Sequence, residues 1–255
     1  MRRFLLGAAI GLAAVAVAPI AAQTPASKPA AKAGELDLKN SLLNWHVAWP
    51  AEVSAIPDLL AAIRGPALKN RAGLLKTAAE DKADRTKRGY PFNAYESSLE
   101  VAVAGDSPPL LSLSGDWFEY TGGAHPNHGT KAILWDRKLK RQVTFDSLFT
   151  NGAGALETLL RKDYCAALDK ERAKNRGPDE STDPTDMFNI CPKFSKLALI
   201  PEGKAGKPFG SVMLHADPYV AGPYVEGDYD IALPVTAALV AALKPQYREN
   251  FAPAR

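Results

Sequence analysis

The residues of this chain best suited to chemistry gather in two segments. The first reads Tyr120-Thr121-Gly122-Gly123-Ala124-His125-Pro126-Asn127-His128, and the second Pro218-Tyr219-Val220-Ala221-Gly222-Pro223-Tyr224-Val225-Glu226-Gly227. His125 and His128 stand three apart, a spacing that on a helix would turn both imidazoles toward one zinc ion, but Pro126 between them bars the helix. A loop site would have to add a carboxylate such as Asp116 or Glu119. The plainer alternative is a strand-ending turn in which Gly122 and Gly123 take up positive φ and His125 hydrogen-bonds the backbone. We assign no metal and no cofactor. In the second segment Tyr219 and Tyr224, with Tyr229 close behind, are stiffened by Pro218 and Pro223. Such rings suit stacking on sugars or on a protein partner, with a packed loop over a sheet edge as the alternative.

Motifs of nucleophilic catalysis are missing: there is no Gly-x-Ser-x-Gly elbow and no Ser-x-x-Lys assignable to a helix start. Gly203, Gly206 and Gly210 lack the Gly-Lys-Ser/Thr ending of a phosphate loop and read as a turn. Asp116, Glu119, Glu226, Asp228 and Asp230 could supply a pair of carboxylates for glycoside hydrolysis, but nothing in the sequence selects two of them. No catalytic residue is assigned. His46 alternates with Trp45 and Val47 on a strand and reads as half-buried or exposed rather than functional.

Residues 1–22 have the form of a secretory signal peptide, with Arg2 and Arg3 ahead of an apolar run and small residues near Ala22. Residues 23–36 are assigned as a flexible linker, of which 23–34 are mainly Ala, Pro and Lys without large apolar side chains. No later stretch reaches transmembrane length, so the protein is expected in the periplasm or the medium without stable membrane insertion. There Cys165 and Cys191 are expected to form a disulfide, two buried thiols being the alternative. The 255 residues carry 31 Lys and Arg against 28 Asp and Glu, and loss of Arg2 and Arg3 lowers even this small excess. A nucleic-acid partner would call for a far more basic chain.

Alternation and breakers place an early strand in residues 36–49, a short helix in 57–63 stopped by Arg64-Gly65-Pro66, and a second helix from Leu68 to the charged run before Gly89. Residues 95–103 and 110–120 form one hairpin, and 131–135 and 141–145 another. A long helix spans 153–175, short strands follow at 194–200, 212–215 and 229–233, and a helix closes at 235–243. A polar loop at 179–186 would be pinned to the long helix by the disulfide. The mixture lacks a βαβ rhythm and predicts an α+β fold with mainly antiparallel sheets, packed helices and two subdomains of similar size.

In their order, the Tyr-x-Gly-Gly-Ala-His-Pro block, Thr144-Phe145-Asp146-Ser147-Leu148-Phe149 and the Pro-Tyr segment resemble the paired extracytoplasmic domains of unknown function found in the anti-sigma factor RsiV and beside the catalytic domain of the deacetylase PdaC. The resemblance implies a PdaC/RsiV-like domain at residues 37–128, an RsiV-like domain at 129–245 and a tail at 246–255. Two departures limit it. Only Met1 to Arg3 precede the apolar run, so sigma-factor control in the same form is not expected; and Ser147 stands where such deacetylases need a second Asp, with no His-x-x-x-His anywhere. The expectation is an exported, non-catalytic protein that binds an envelope ligand, either a peptidoglycan fragment or glycan or a lysozyme-like protein. Tyr120, His125, His128, Tyr219, Tyr224 and Glu226 are the candidate ligand-binding residues. The alternative is an envelope hydrolase using His125 with a carboxylate.

Overall fold

The computed structural model describes residues 32–176, 183 and 186–253. The expected leader, most of the linker and most of the loop at 179–186 lie outside the described residues. Among the described residues nine strands form two sheets, and the fold is α+β with mainly antiparallel pairing. Strands β1 (Gly34–Lys39), β2 (Leu43–Trp49), β3 (Tyr95–Ser107), β4 (Leu110–Tyr120), β5 (Asn127–Asp136) and β6 (Arg141–Val143) line up in chain order, with only β2 and β3 parallel. Strands β7 (Ala198–Glu202), β8 (Ser211–Ala216) and β9 (Tyr229–Pro234) form the second, antiparallel sheet.

The early strand is in fact two. Asn40 breaks it, its Oδ1 accepting the N–H groups of Leu42 (2.8 Å) and Leu43 (3.0 Å), an Asx turn that folds β1 back on β2. Since β1 begins at Gly34, the linker ends earlier than residue 36. After the short helix α1 (Ala51–Ser54), α2 runs unbroken from Pro57 to Lys87 where a stop at Pro66 was expected. Pro66 costs one ladder hydrogen bond, but Leu59, Ile63, Ala67 and Ala78 are buried against Trp45, Val47 and their sheet neighbours on both sides of it. Packing along the whole length outweighs the local breaker.

The large sheet carries a core on each face. Alternation sends Leu111, Leu113 and Trp135 into the cluster under α2, and Leu110 and Leu134 into the other cluster. That second core is completed by α3 (Ala153–Asn175), with Leu156, Leu160, Tyr164 and Leu168 buried, by the second sheet and by α4 (Ala237–Ala242). The boundary drawn at 128 and 129 falls inside β5, which serves both cores.

Residues 194–200 are not one strand: the Phe194 ring packs edge-on to Tyr164, a 3-10 turn covers Phe194–Lys196, and β7 starts at Ala198. Residues 246–253 are not a tail. Pro245–Asn250 form another 3-10 turn in which the buried Tyr247 donates to Asp136 (2.9 Å), and the buried Asn250 donates to the Ser107 (2.7 Å) and Pro108 (2.9 Å) carbonyls. No helix among the described residues is long and apolar enough to cross a membrane.

Candidate functional site

The two motif segments, some ninety residues apart in sequence, meet. The first is the connection from β4 to β5, and the second connects β8 to β9. His125 stacks on Tyr224 with ring centroids 3.9 Å apart, Tyr219 lies 5.8 Å from Tyr224, and His128 meets the edge of Tyr224 at 5.6 Å. His125 Nδ1 is 2.8 Å from the Pro126 carbonyl, which only accepts, so in the neutral ring Nδ1 donates. Nε2 then accepts from the Tyr219 hydroxyl at 3.2 Å. Four of the six candidate residues, His125, His128, Tyr219 and Tyr224, thus form one aromatic cluster.

The other two do different work. Tyr120 donates to the Gly123 carbonyl (3.1 Å) and closes the glycine turn. The Glu226 side chain is only 5% exposed, with its carboxylate accepting from Arg176 Nε (2.9 Å) and from the Tyr229 hydroxyl. A Cβ at Gly222 would collide with that carboxylate, so the glycine makes room for it. Glu226 therefore braces the loop from inside.

Tyr219 is the unusual position. Val220 N–H donates to the Asp217 carbonyl (3.1 Å), which puts Pro218 and Tyr219 at the two centres of a β-turn. Pro first and φ of +68° second is the pattern of a type II turn, whose second centre belongs to Gly or Asn. Here it holds a tyrosine that is 51% exposed.

Behind the loop is a charged cluster that sequence reasoning missed. The β8–β9 register sets His215 opposite Asp230; its Nδ1 lies 2.6 Å from that carboxylate and its Nε2 2.9 Å from Asp217. Burial opposes charge on the ring, but the hydrogen bonds to Asp217 and Asp230 prevail and raise its pKa to about 10. His215 is therefore an imidazolium at neutral pH. The bond to His215 lowers the pKa of Asp230. Asp228, 3.4 Å from His128 Nε2, is shifted upward, chiefly by burial and against the pull of His215 and His128. Asp217 also accepts the Thr130 N–H (2.8 Å), tying the second loop to β5. That approach requires Gly129, where any Cβ would overlap the Asp217 carboxylate. The only hint in the sequence was a histidine closing an apolar strand two residues before an aspartate.

The loop is also held from α3. Buried Arg172 donates to the Ala221 carbonyl and to the Asn189 and Ile190 carbonyls, gripping the 217–228 loop and the 186–191 segment together. Cys165 and Cys191 are joined in a disulfide that ties the same segment to α3. Among the described residues, no group of three or more His, Cys, Asp or Glu side chains is arranged to hold a metal ion.

Comparison with known proteins follows the same outline. No curated protein matches the chain. Residues 37–128 match the model of the family described as deacetylase PdaC. A DUF3298 family protein from Pseudomonas aeruginosa PAO1 is similar at 17% identity and a TM-score of 0.52, over 88% of this chain and 98% of that one. A member of the same family from Bacteroides fragilis NCTC 9343 is 16% identical, with a TM-score of 0.46 over 80% of this chain and 90% of its own. Residues 37–128 are thus similar to the PdaC family, and the chain shares its fold with a DUF3298 family protein.

Proposed function

We propose that this protein is an exported, non-catalytic binding protein whose ligand belongs to the cell envelope and docks on the face formed by His125, Tyr219 and Tyr224. The observation that carries the reading is Tyr219. A half-exposed side chain on a left-handed backbone costs roughly 1–3 kcal/mol where glycine would cost nothing, and such strain is characteristic of functional positions. It sits on a loop braced by Arg172, Arg176 and His215, so the face is formed before a ligand arrives. Flat rings with the polar edges of His128 and Asp228 beside them suit a sugar of a peptidoglycan fragment: the rings take its apolar face and the edges its hydroxyls. Val225, 90% exposed on the same loop, favours a second reading, a lysozyme-like protein as partner. Export is supported by the leader and by the disulfide. Hydrolysis by His125 with a carboxylate is less well supported, because both of its ring nitrogens are engaged by Pro126 and Tyr219.

The test is a titration of the purified protein with muropeptides and, in parallel, with lysozyme. Saturable binding to one of them is expected, weakened about tenfold or more by Tyr219→Ala and Tyr224→Ala at unchanged circular dichroism. Unchanged affinity in both variants, or no saturable binding to either ligand, overturns the proposal. Peptidoglycan turnover abolished by His125→Ala without unfolding would replace it with the hydrolase.

A further inference from the structure

Strand β5 has an outer edge that the fold leaves open. β6 covers only Leu134 to Asp136 of it, and the chain then turns away into a 3-10 turn at Asp146–Leu148. The Thr130 N–H points outward to Asp217, so by the alternation of an antiparallel ladder Thr130 and Ala132 both present their backbone groups to this edge. Asp217 takes the Thr130 N–H, and the Gln142 side chain reaches the Ala132 carbonyl at 3.5 Å. The Thr130 carbonyl and the Ala132 N–H have no partner among the described residues. The open lane, bounded by Asp217 and by the end of β6, is about four residues long.

Two cavities flank the lane, one on each face of the sheet. The first, about 630 Å³, lies between the sheet and α2 and is lined by Trp45, Val47, Ile63, Leu99, Trp117 and Ile133. The second, about 720 Å³, lies on the α3 side, with Phe145, Leu156, Phe194, Leu197 and Leu199 inside. Thr130, Lys131, Ala132 and Gln142 border both, so the cavities meet at the open edge. Exposed Lys131, Lys193 and Lys196 border the second cavity. The Lys131 ammonium lies over the Trp117 ring on the α2 side; of the acids of the second cavity, Glu157 is paired with Arg161 and Asp217 with His215, which leaves Asp146 against Lys193 and Lys196.

We propose that this edge binds a short extended peptide segment of a protein partner, with apolar and acidic side chains in alternation. Its backbone extends the sheet, accepting from Ala132 N–H and donating to the Thr130 carbonyl. Strand geometry sends successive side chains to opposite faces, so apolar ones enter the α2 cleft and acidic ones meet Lys193 and Lys196. The site is distinct from the aromatic face, although Asp217 borders both.

The probe is fluorescein-labelled Leu-Glu-Leu-Glu-Leu-Glu, followed by anisotropy with the purified protein. Saturable binding is expected, with the Ala132 amide gaining protection from hydrogen exchange. N-methylation of the central peptide bonds should weaken binding about tenfold or more, as should Lys193→Glu combined with Lys196→Glu. Tyr219→Ala, which tests the aromatic face, should leave it unchanged. No saturable binding up to millimolar protein, equal affinity for the N-methylated peptide, equal affinity for an alternating Leu-Lys peptide, or loss of binding in Tyr219→Ala would each overturn the proposal.

Discussion

His215 makes the stability of this protein depend on pH in a direction that is easily mistaken. Its folded pKa of about 10 stands above the ordinary 6.5, because Asp217 and Asp230 hold both ring protons. A raised pKa stabilises fully below 6.5 and loses that stabilisation as pH rises toward 10. The shift corresponds to at most ~5 kcal/mol, about half of which is lost between about pH 7 and about pH 9. The ring is nearly enclosed, but Asp230 is 60% exposed and Asp217 about a third, so solvent screening keeps the effect below this upper bound. Urea unfolding with the disulfide intact, followed by fluorescence of Trp45, Trp49, Trp117 and Trp135, should show the midpoint falling across that range at constant slope. In His215→Gln the protein should be less stable at pH 7 and its midpoint nearly level to pH 9. At the acid end the sign reverses. The lowered pKa of Asp230 contributes stability above its ordinary 3.8, which is lost as pH falls through the depressed folded value. A wild-type midpoint that does not move between pH 7 and pH 9, or a His215→Gln variant with the wild-type slope, would refute the reasoning.

Gly129→Ala should drive Asp217 off the Thr130 N–H and off His215, costing about 2 kcal/mol and lowering the His215 pKa, which NMR titration of the imidazole would report. Opening the disulfide by Cys165→Ala with Cys191→Ala should cost on the order of 3 kcal/mol in urea unfolding, with the largest gain in hydrogen exchange in residues 186–191. Tyr219→Gly should be at least as stable as wild type, by roughly 1 kcal/mol from backbone relief, while losing ligand binding. A fall in melting temperature there would mean that Tyr219 serves the fold.

Local pattern carried much of this protein. The α+β class, the 95–120 hairpin, the helix at 153–175, the disulfide partners and the two motif segments are all legible in the residue order. Each depends on side-chain period, turn chemistry or compartment, which a short window of residues expresses. The passage of α2 through Pro66 depends on long-range packing, because the apolar sheet face that holds it is assembled from strands on either side of it in sequence. The same holds for residues 246–253, whose buried side chains meet Ser107 and Asp136 more than a hundred residues away. At the site, the segments could be singled out one by one but not joined. That His125 stacks on Tyr224, that Glu226 braces the loop from within, and that His215 is clamped between two aspartates are all consequences of strand register and loop docking, and no local spacing encodes the distance between residues that only the packed sheets bring together.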